Sequence, residues 1–170
     1  GSIVERVDNF KYLGFILDCT LNFHAHIDNV CRRLSYVNGI IFSIKDFVPP
    51  RALLSIYHSL AFPHLVFHNV IMSAAAETTL RKLQVAQNKI IRNIFFYNEH
   101  IHTYDLFINN NLLDVNAICE WRALVFFHRW ASGVGYQYLR HKVRDYLFCS
   151  SYNVRRPGLL RLPRARSEEH

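Results

Sequence analysis

Along the first fifth of the chain the apolar positions change period. In NFKYLGFILD, residues 9 to 18, two apolar alternations flank the tight group Lys11-Tyr12-Leu13-Gly14, which predicts a short β-hairpin. Two short strands are marginal in water without something to pack on, so the hairpin predicts a larger sheet. From Phe23 the spacing switches to threes and fours through Ile27, Val30, Leu34, Val37, Ile41, Ile44 and Phe47. That is one long amphipathic helix, with Asn22 as its N-cap and Pro49-Pro50 as its end. A second helix is expected from about Pro50, burying Leu53, Leu54, Tyr57 and Leu60, until Pro63 bends or breaks it. The following HLVFHNVIM fits either a buried helical continuation or an extended run.

A third helix has Ser73 as its expected cap and Leu80, Leu83, Ala86, Ile90 and Ile94 as its inner stripe. Its outer face carries Arg81, Lys82, Gln84, Asn88, Lys89, Arg92 and Asn93, with no acid after Glu77. Most helical faces interleave both signs, so this one-sided face reads either as solvated surface or as an anion contact. A short helical turn capped by Thr103 follows, then a helix from about Asp114 to Ala131 stopped by Gly133. That helix carries Val115, Ile118, Leu124 and Phe127, and its Trp121/Trp130 pair reads as core rather than as a base-stacking platform. Another helix is expected over Tyr136 to Phe148. The fold class is therefore mainly α, a helical bundle preceded by a short β-hairpin. Four parts are expected: the hairpin (1–21), a helical bundle (22–98), a further helical region (99–148) and a basic Arg/Pro-rich tail (149–170).

Composition narrows the function. Hydrophobic content of 51% is ample for a core and argues against wholesale disorder. A net charge of +7 and a pI near 9.4 favour an anionic partner. The four cysteines are scattered, with no CxxC, as expected of reduced thiols in a nuclear or cytoplasmic protein. No apolar run is long enough to span a bilayer, and no secretory signal is visible. The ten histidines include the i, i+4 pair His64/His68, but no third and fourth ligand at metal spacing accompanies it, so no metal or other cofactor is expected. No nucleophile-elbow motif is present either. Gly1-Ser2 resembles a cloning remnant, which suggests a longer native chain.

Five features occur in one order: the Tyr12-Leu13-Gly14 hairpin trailed by Leu17-Asp18, the LNFHAHI entry, the long helix ending in a Pro pair, LLSIYHSLAFPHL, and LRKLQVAQNKIIRNI. In that order they resemble the segment following the catalytic palm in reverse transcriptases of non-LTR (LINE-type) retrotransposons. The tail SSYNVRR resembles the family's His-Ser-Tyr-Asn-Thr-Arg box, with Ser150 in place of the histidine and Val154 in place of the threonine. That departure leaves the histidine's role without a counterpart here. The likeness runs over nearly the whole chain.

The resemblance implies that the hairpin is the primer grip, the last strands of a palm sheet, and that the helices after it are a thumb. The family's metal-holding carboxylates come from a Tyr/Phe-Ala-Asp-Asp loop, and this chain has no Asp-Asp. It is expected to have no catalytic residues and no polymerase activity by itself. Its expected role is to hold RNA or an RNA–DNA hybrid for palm and fingers elsewhere in the same polymerase. The expected contacts are Lys11, Tyr12 and Gly14 at the grip, Arg81, Lys82, Lys89 and Arg92 on the third helix, and Arg155 and Arg156 in the tail. Arg32 and Arg33 are weaker candidates. The alternative is a domesticated derivative that serves as an adaptor or RNA-binding scaffold, with the hairpin edge as the surface for a protein partner.

Overall fold

A computed structural model of the chain describes residues 7–67, 69–72, 75–96 and 103–132. It is mainly α, as the periodicity predicts. Strands β1 (Asn9–Tyr12) and β2 (Phe15–Asp18) pair antiparallel, with Tyr12 opposite Phe15 and Asn9 opposite Asp18. The two turn residues both have positive φ, 45° at Leu13 and 84° at Gly14. That is the type I′ geometry whose twist matches the flanking strands. Glycine adopts it freely, whereas leucine does so against its Cβ.

Helix α1 (His24–Ile44) follows, capped by Phe23 in a left-handed conformation. Asn22, the expected cap, instead accepts the His24 N–H at 3.0 Å from one residue further out. Its inner stripe is Ile27, Val30, Leu34, Val37 and Ile41, all buried. Phe47, expected to extend that stripe, is 86% exposed, because the helix ends at Ile44, before the residue can be carried inward. The hairpin meets α1 through Phe15, which is buried against the rings of Phe23 and His26 at centroid distances of 5.7 and 4.1 Å. The Ile16 N–H donates to His26 Nδ1 at 3.3 Å.

The stretch around Pro63 resolves the ambiguity in the sequence. Helix α2 (Pro50–Ile56) passes into a π-helical turn, Tyr57–Ala61, and then into α3 (Phe62–Val66). The proline ring would collide with the carbonyl four residues back in a regular α-helix. The wider turn comes just before it, with the Phe62 N–H reaching back to the Tyr57 carbonyl. The extra residue turns the helix surface as well. Leu53 and Tyr57 are buried as expected and Leu54 is half-buried, but Leu60 is exposed and Ala61 takes its place inside. HLVFHNVIM is helical at both ends, with extended backbone at Phe67 separating α3 from α4 (Asn69–Met72).

Helix α5 (Glu77–Ile94) buries Leu83, Ile90 and Ile94 from the expected stripe, together with Thr79, Gln87 and Ile91, while Leu80 and Ala86 are half-buried. The expected cap Ser73 lies outside the described residues. Three side-chain pairs link α5 to α1: Thr79 with His24, Lys82 with Asp28, and Asn93 with Asn38. Their sequence separations are 55, 54 and 55, so the two helices run parallel in a constant register. Gln87 ties the pair to its surroundings by donating from Nε2 to the Tyr57 hydroxyl (2.9 Å) and to the Leu113 carbonyl (2.8 Å). Burial pushes the Tyr57 phenol up to about 12, with the Gln87 bond acting in the opposite direction.

Helix α6 (Thr103–Asn109) begins where the Thr103 cap was expected. Helix α7 (Val115–Ala131) is capped by Asp114, which accepts the Ala117 N–H at 2.7 Å. Val115 and Ile118 are buried, while Leu124 and Phe127 are exposed; Trp121 is exposed and Trp130 half-buried, which corrects the placement of that pair in the core. Apolar residues lie all round α7 rather than along one stripe, so the pattern does not select a buried face. The chain divides into two compact units, residues 1–123 and 124–170; the described part of the second is the end of α7 and Ser132. The expected helix at 136–148 and the tail lie outside the described residues. Among the described residues no helix is long and apolar enough to cross a membrane. Cys19, Cys31 and Cys119 are free thiols.

Two glycines separate conformational need from entropy. Gly39 is an exposed interior residue of α1, and a Cβ there meets nothing within 4 Å. Gly39→Ala is expected to stabilise the fold by about 0.5–1 kcal/mol. Gly14→Ala, at φ 84°, is expected to destabilise it by about 1–2 kcal/mol. Thermal unfolding followed by circular dichroism checks both signs.

Candidate nucleic-acid interface

The parallel packing of α1 and α5 leaves a groove of about 460 Å³ along one side of the contact. Asp28, Cys31 and Ser35 form its α1 wall, and Thr78, Arg81, Lys82, Val85, Ala86 and Lys89 form its α5 wall. At about 100° per residue, Arg81, Lys82 and Lys89 fall within one arc of α5, away from Leu83, Ile90 and Ile94. All three are exposed. The groove therefore presents three cations against one carboxylate, with two hydroxyls beside them. Such a surface can take a chain of anionic groups without reading any side group on it.

The one carboxylate is engaged. Asp28 Oδ1 lies 3.0 Å from Lys82 Nζ, and both side chains are about half exposed, at 52% and 51%. An ion pair so placed is worth about 0–1 kcal/mol. The Cys31 thiol in the same wall is pushed up by burial and by the Asp28 charge, against a smaller opposing pull from Lys82.

The structure thus brings together three of the four cations expected on α5. Arg92 is not among the residues lining the groove; it is half-buried, with its Nε out of solvent and without a hydrogen-bond partner. Lys11, Tyr12 and Gly14 are exposed on the hairpin and line no part of the groove. A Cβ at Gly14 would lie 3.5 Å from Cε1 of Phe67, so the hairpin turn is approached from the link between α3 and α4. Arg32 and Arg33 are exposed on α1. His64, held below its usual range by burial, is lowered further by the charge of Arg33. Arg155 and Arg156 lie outside the described residues. Among the described residues no three His, Cys, Asp or Glu side chains cluster as metal ligands. Sequence reasoning passed over Asp28, Ser35 and Thr78, because their place in the groove depends on the register of two helices far apart in the chain.

Sequence reasoning named Asp18 only as a trailing residue of the hairpin motif and missed that this carboxylate fixes the hairpin to α1. Its Oδ1 accepts the Thr20 hydroxyl (2.6 Å) and the N–H groups of Thr20 and Asn22 (3.1 Å each), and its Oδ2 accepts the Phe23 N–H (2.8 Å). The Thr20 hydroxyl bond, with the backbone N–H groups, holds this carboxyl down at about 2, against a smaller upward push from desolvation. The only sequence signal was an Asp two residues before a Thr, as in an Asx turn. On the hairpin itself, Phe10 and Tyr12 share a face with Phe15 but are 55% and 59% exposed, so that face is covered only along β2.

The hairpin, the helical order and the basic α5 face can be set beside known proteins. The chain is related in sequence to the reverse transcriptases of non-LTR retrotransposons, the family its motifs resemble. It is 28% identical over 110 residues to the RNA-directed DNA polymerase from mobile element jockey of Drosophila funebris. It is 28% identical over 112 residues to the protein of the same name from Drosophila melanogaster. Each match covers 62% of this chain and 12% of the relative, so the matched region is a small part of those polymerases. No protein-family model matches the chain, and no solved structure matches it.

The Asp18 cluster makes a pH-dependent prediction. Its carboxyl is depressed from 3.8 to about 2 on folding, so the stability it contributes is present above pH 3.8 and is lost as pH falls through 2. Asp18→Asn should therefore unfold at lower urea than the parent at pH 6, with the gap closing between pH 4 and pH 2. A gap that stays constant down to pH 2 contradicts the assignment.

Proposed function

We propose that this chain is a non-catalytic module that holds RNA, or an RNA–DNA hybrid, by its backbone within a reverse transcriptase. The chemistry would be done by palm and fingers supplied by the rest of the polymerase. The observation that carries this reading is the groove in which Arg81, Lys82 and Lys89 of α5 face solvent together. A polymerase must hold any sequence, so its holding contacts belong on phosphate and sugar rather than on base edges. Exposed cations with hydroxyls between them supply that kind of contact. The similarity to the jockey RNA-directed DNA polymerases supports the reading, since a polymerase of that kind has nucleic acid to hold. The absence of an Asp-Asp pair from the sequence is why the chain is read as non-catalytic.

The test is fluorescence anisotropy with a labelled RNA–DNA hybrid across a salt series. Two to three phosphate contacts in the groove give a slope of log affinity on log salt of roughly −2 to −3. Arg81→Glu with Lys89→Glu is expected to flatten the slope by about two and leave the helical circular dichroism unchanged, since both side chains are exposed. A double variant that binds as tightly as the parent, with the same slope, removes the groove from the nucleic-acid path. If it loses a protein partner at the same time, that outcome points to the adaptor reading.

A further inference from the structure

We infer that Asp28 is a built-in occupant of the α1–α5 groove: its carboxylate holds Lys82 where a backbone phosphate would, and nucleic acid binds by displacing it. This rests on the nucleic-acid-holding reading and adds what regulates that site. Three observations carry it. Asp28 is the one acid among the residues lining the groove, opposite three cations. Its Oδ1 is 3.0 Å from Lys82 Nζ, so the ammonium is already paired. Both side chains are half exposed, which makes the pair weak and open to exchange. An ammonium is a compact charge with three rotatable donors, so it can pass from a carboxylate to a phosphate without moving its helix.

The consequence is selection for a polymer. An isolated anion offers Lys82 no more than Asp28 does, and Asp28 repels it. A nucleic-acid strand engages Arg81 and Lys89 as well, which lie eight residues or about 12 Å apart along α5. At roughly 3 Å of axial rise per nucleotide in an A-like duplex, that span covers about four nucleotides of one strand. Lys82 arrives already neutralised, so exchanging its partner releases little condensed counterion. In the parent it should be nearly silent in the salt dependence.

The test uses the full 170-residue chain and the same labelled hybrid between 50 and 200 mM salt. Asp28→Asn is nearly isosteric and exposed; unchanged circular dichroism and thermal midpoint show that it folds. It is expected to bind the hybrid about three- to tenfold more tightly at the low-salt end, with a slope steeper by about one as Lys82 becomes a full phosphate contact. Adding Lys82→Gln should return the slope to the parental value. Asp46→Asn changes net charge by the same amount at an exposed position outside the groove, and should alter neither affinity nor slope appreciably. The inference is overturned if Asp28→Asn binds like the parent, or if Asp46→Asn reproduces its gain. If Asp28→Asn is silent while Arg81→Glu with Lys89→Glu still weakens binding, the groove stands and only the occupant role falls. If neither variant moves the affinity, the holding reading falls with it.

Discussion

The parallel contact between α1 and α5 is the constraint on which the rest of the molecule depends. Two helices joined by a short loop run antiparallel; to run parallel, the chain must travel the length of the first helix again before starting the second. The segment from Pro50 to Met72 makes that return as short helical pieces instead of one long rod. Leu53, Tyr57, Ala61, Leu65 and Met72 go inward along it and are fully or almost fully buried. Gln87 then fastens the pair to the returning segment through Tyr57, and to the approach to α7 through the Leu113 carbonyl. With the pairing fixed, the hairpin finds its floor on the first turns of α1 and the groove finds its two walls.

Much of this was legible in the sequence, for identifiable reasons. The stripe from Ile27 to Ile41 and the buried Leu83, Ile90 and Ile94 follow from period alone, because each face is apolar on one side and polar on the other. The hairpin was legible because Leu13-Gly14 sits between two alternations. Pattern failed where it stopped being one-sided or stopped being regular. α7 carries apolar residues all round, so period could not say that Trp121 and Leu124 face outward. Leu60 was misplaced because a helical wheel assumes 3.6 residues per turn, and the chain departs from that value at Tyr57–Ala61. The cap of α1 was misplaced by one residue because Asp18, four residues before Asn22, organises the junction through backbone N–H groups that no periodicity reports.

The same division runs through the candidate site. The cations of α5 could be read as a set, since they share one arc of one helix. Their neutral and acidic neighbours could not, since Asp28, Cys31 and Ser35 reach the groove only by the constant offset between two distant helices. Arg92 shows the converse. Its position on the helical wheel places it with Arg81, yet its surroundings leave it half-buried and outside the groove lining. Charge on a helix face is a one-dimensional property, whereas a binding groove belongs to a pair of elements.

The π-helical turn imposes a rule about chain length. Its hydrogen bond reaches back five residues instead of four, so the turn holds one residue more than an α-turn. Deleting one residue between Tyr57 and Ala61 would restore a regular α-helix and leave Leu65 on the face of Tyr57, seven residues apart. The ring of Pro63 would then close on the carbonyl it now avoids. An inserted residue would find the bulge already filled, turn the segment after it by about 100° and swing Leu65 out of the core. This stretch can neither lose a residue, which closes Pro63 on its carbonyl, nor gain one, which turns Leu65 outward, although it contains no Asp, Glu, Lys or Arg.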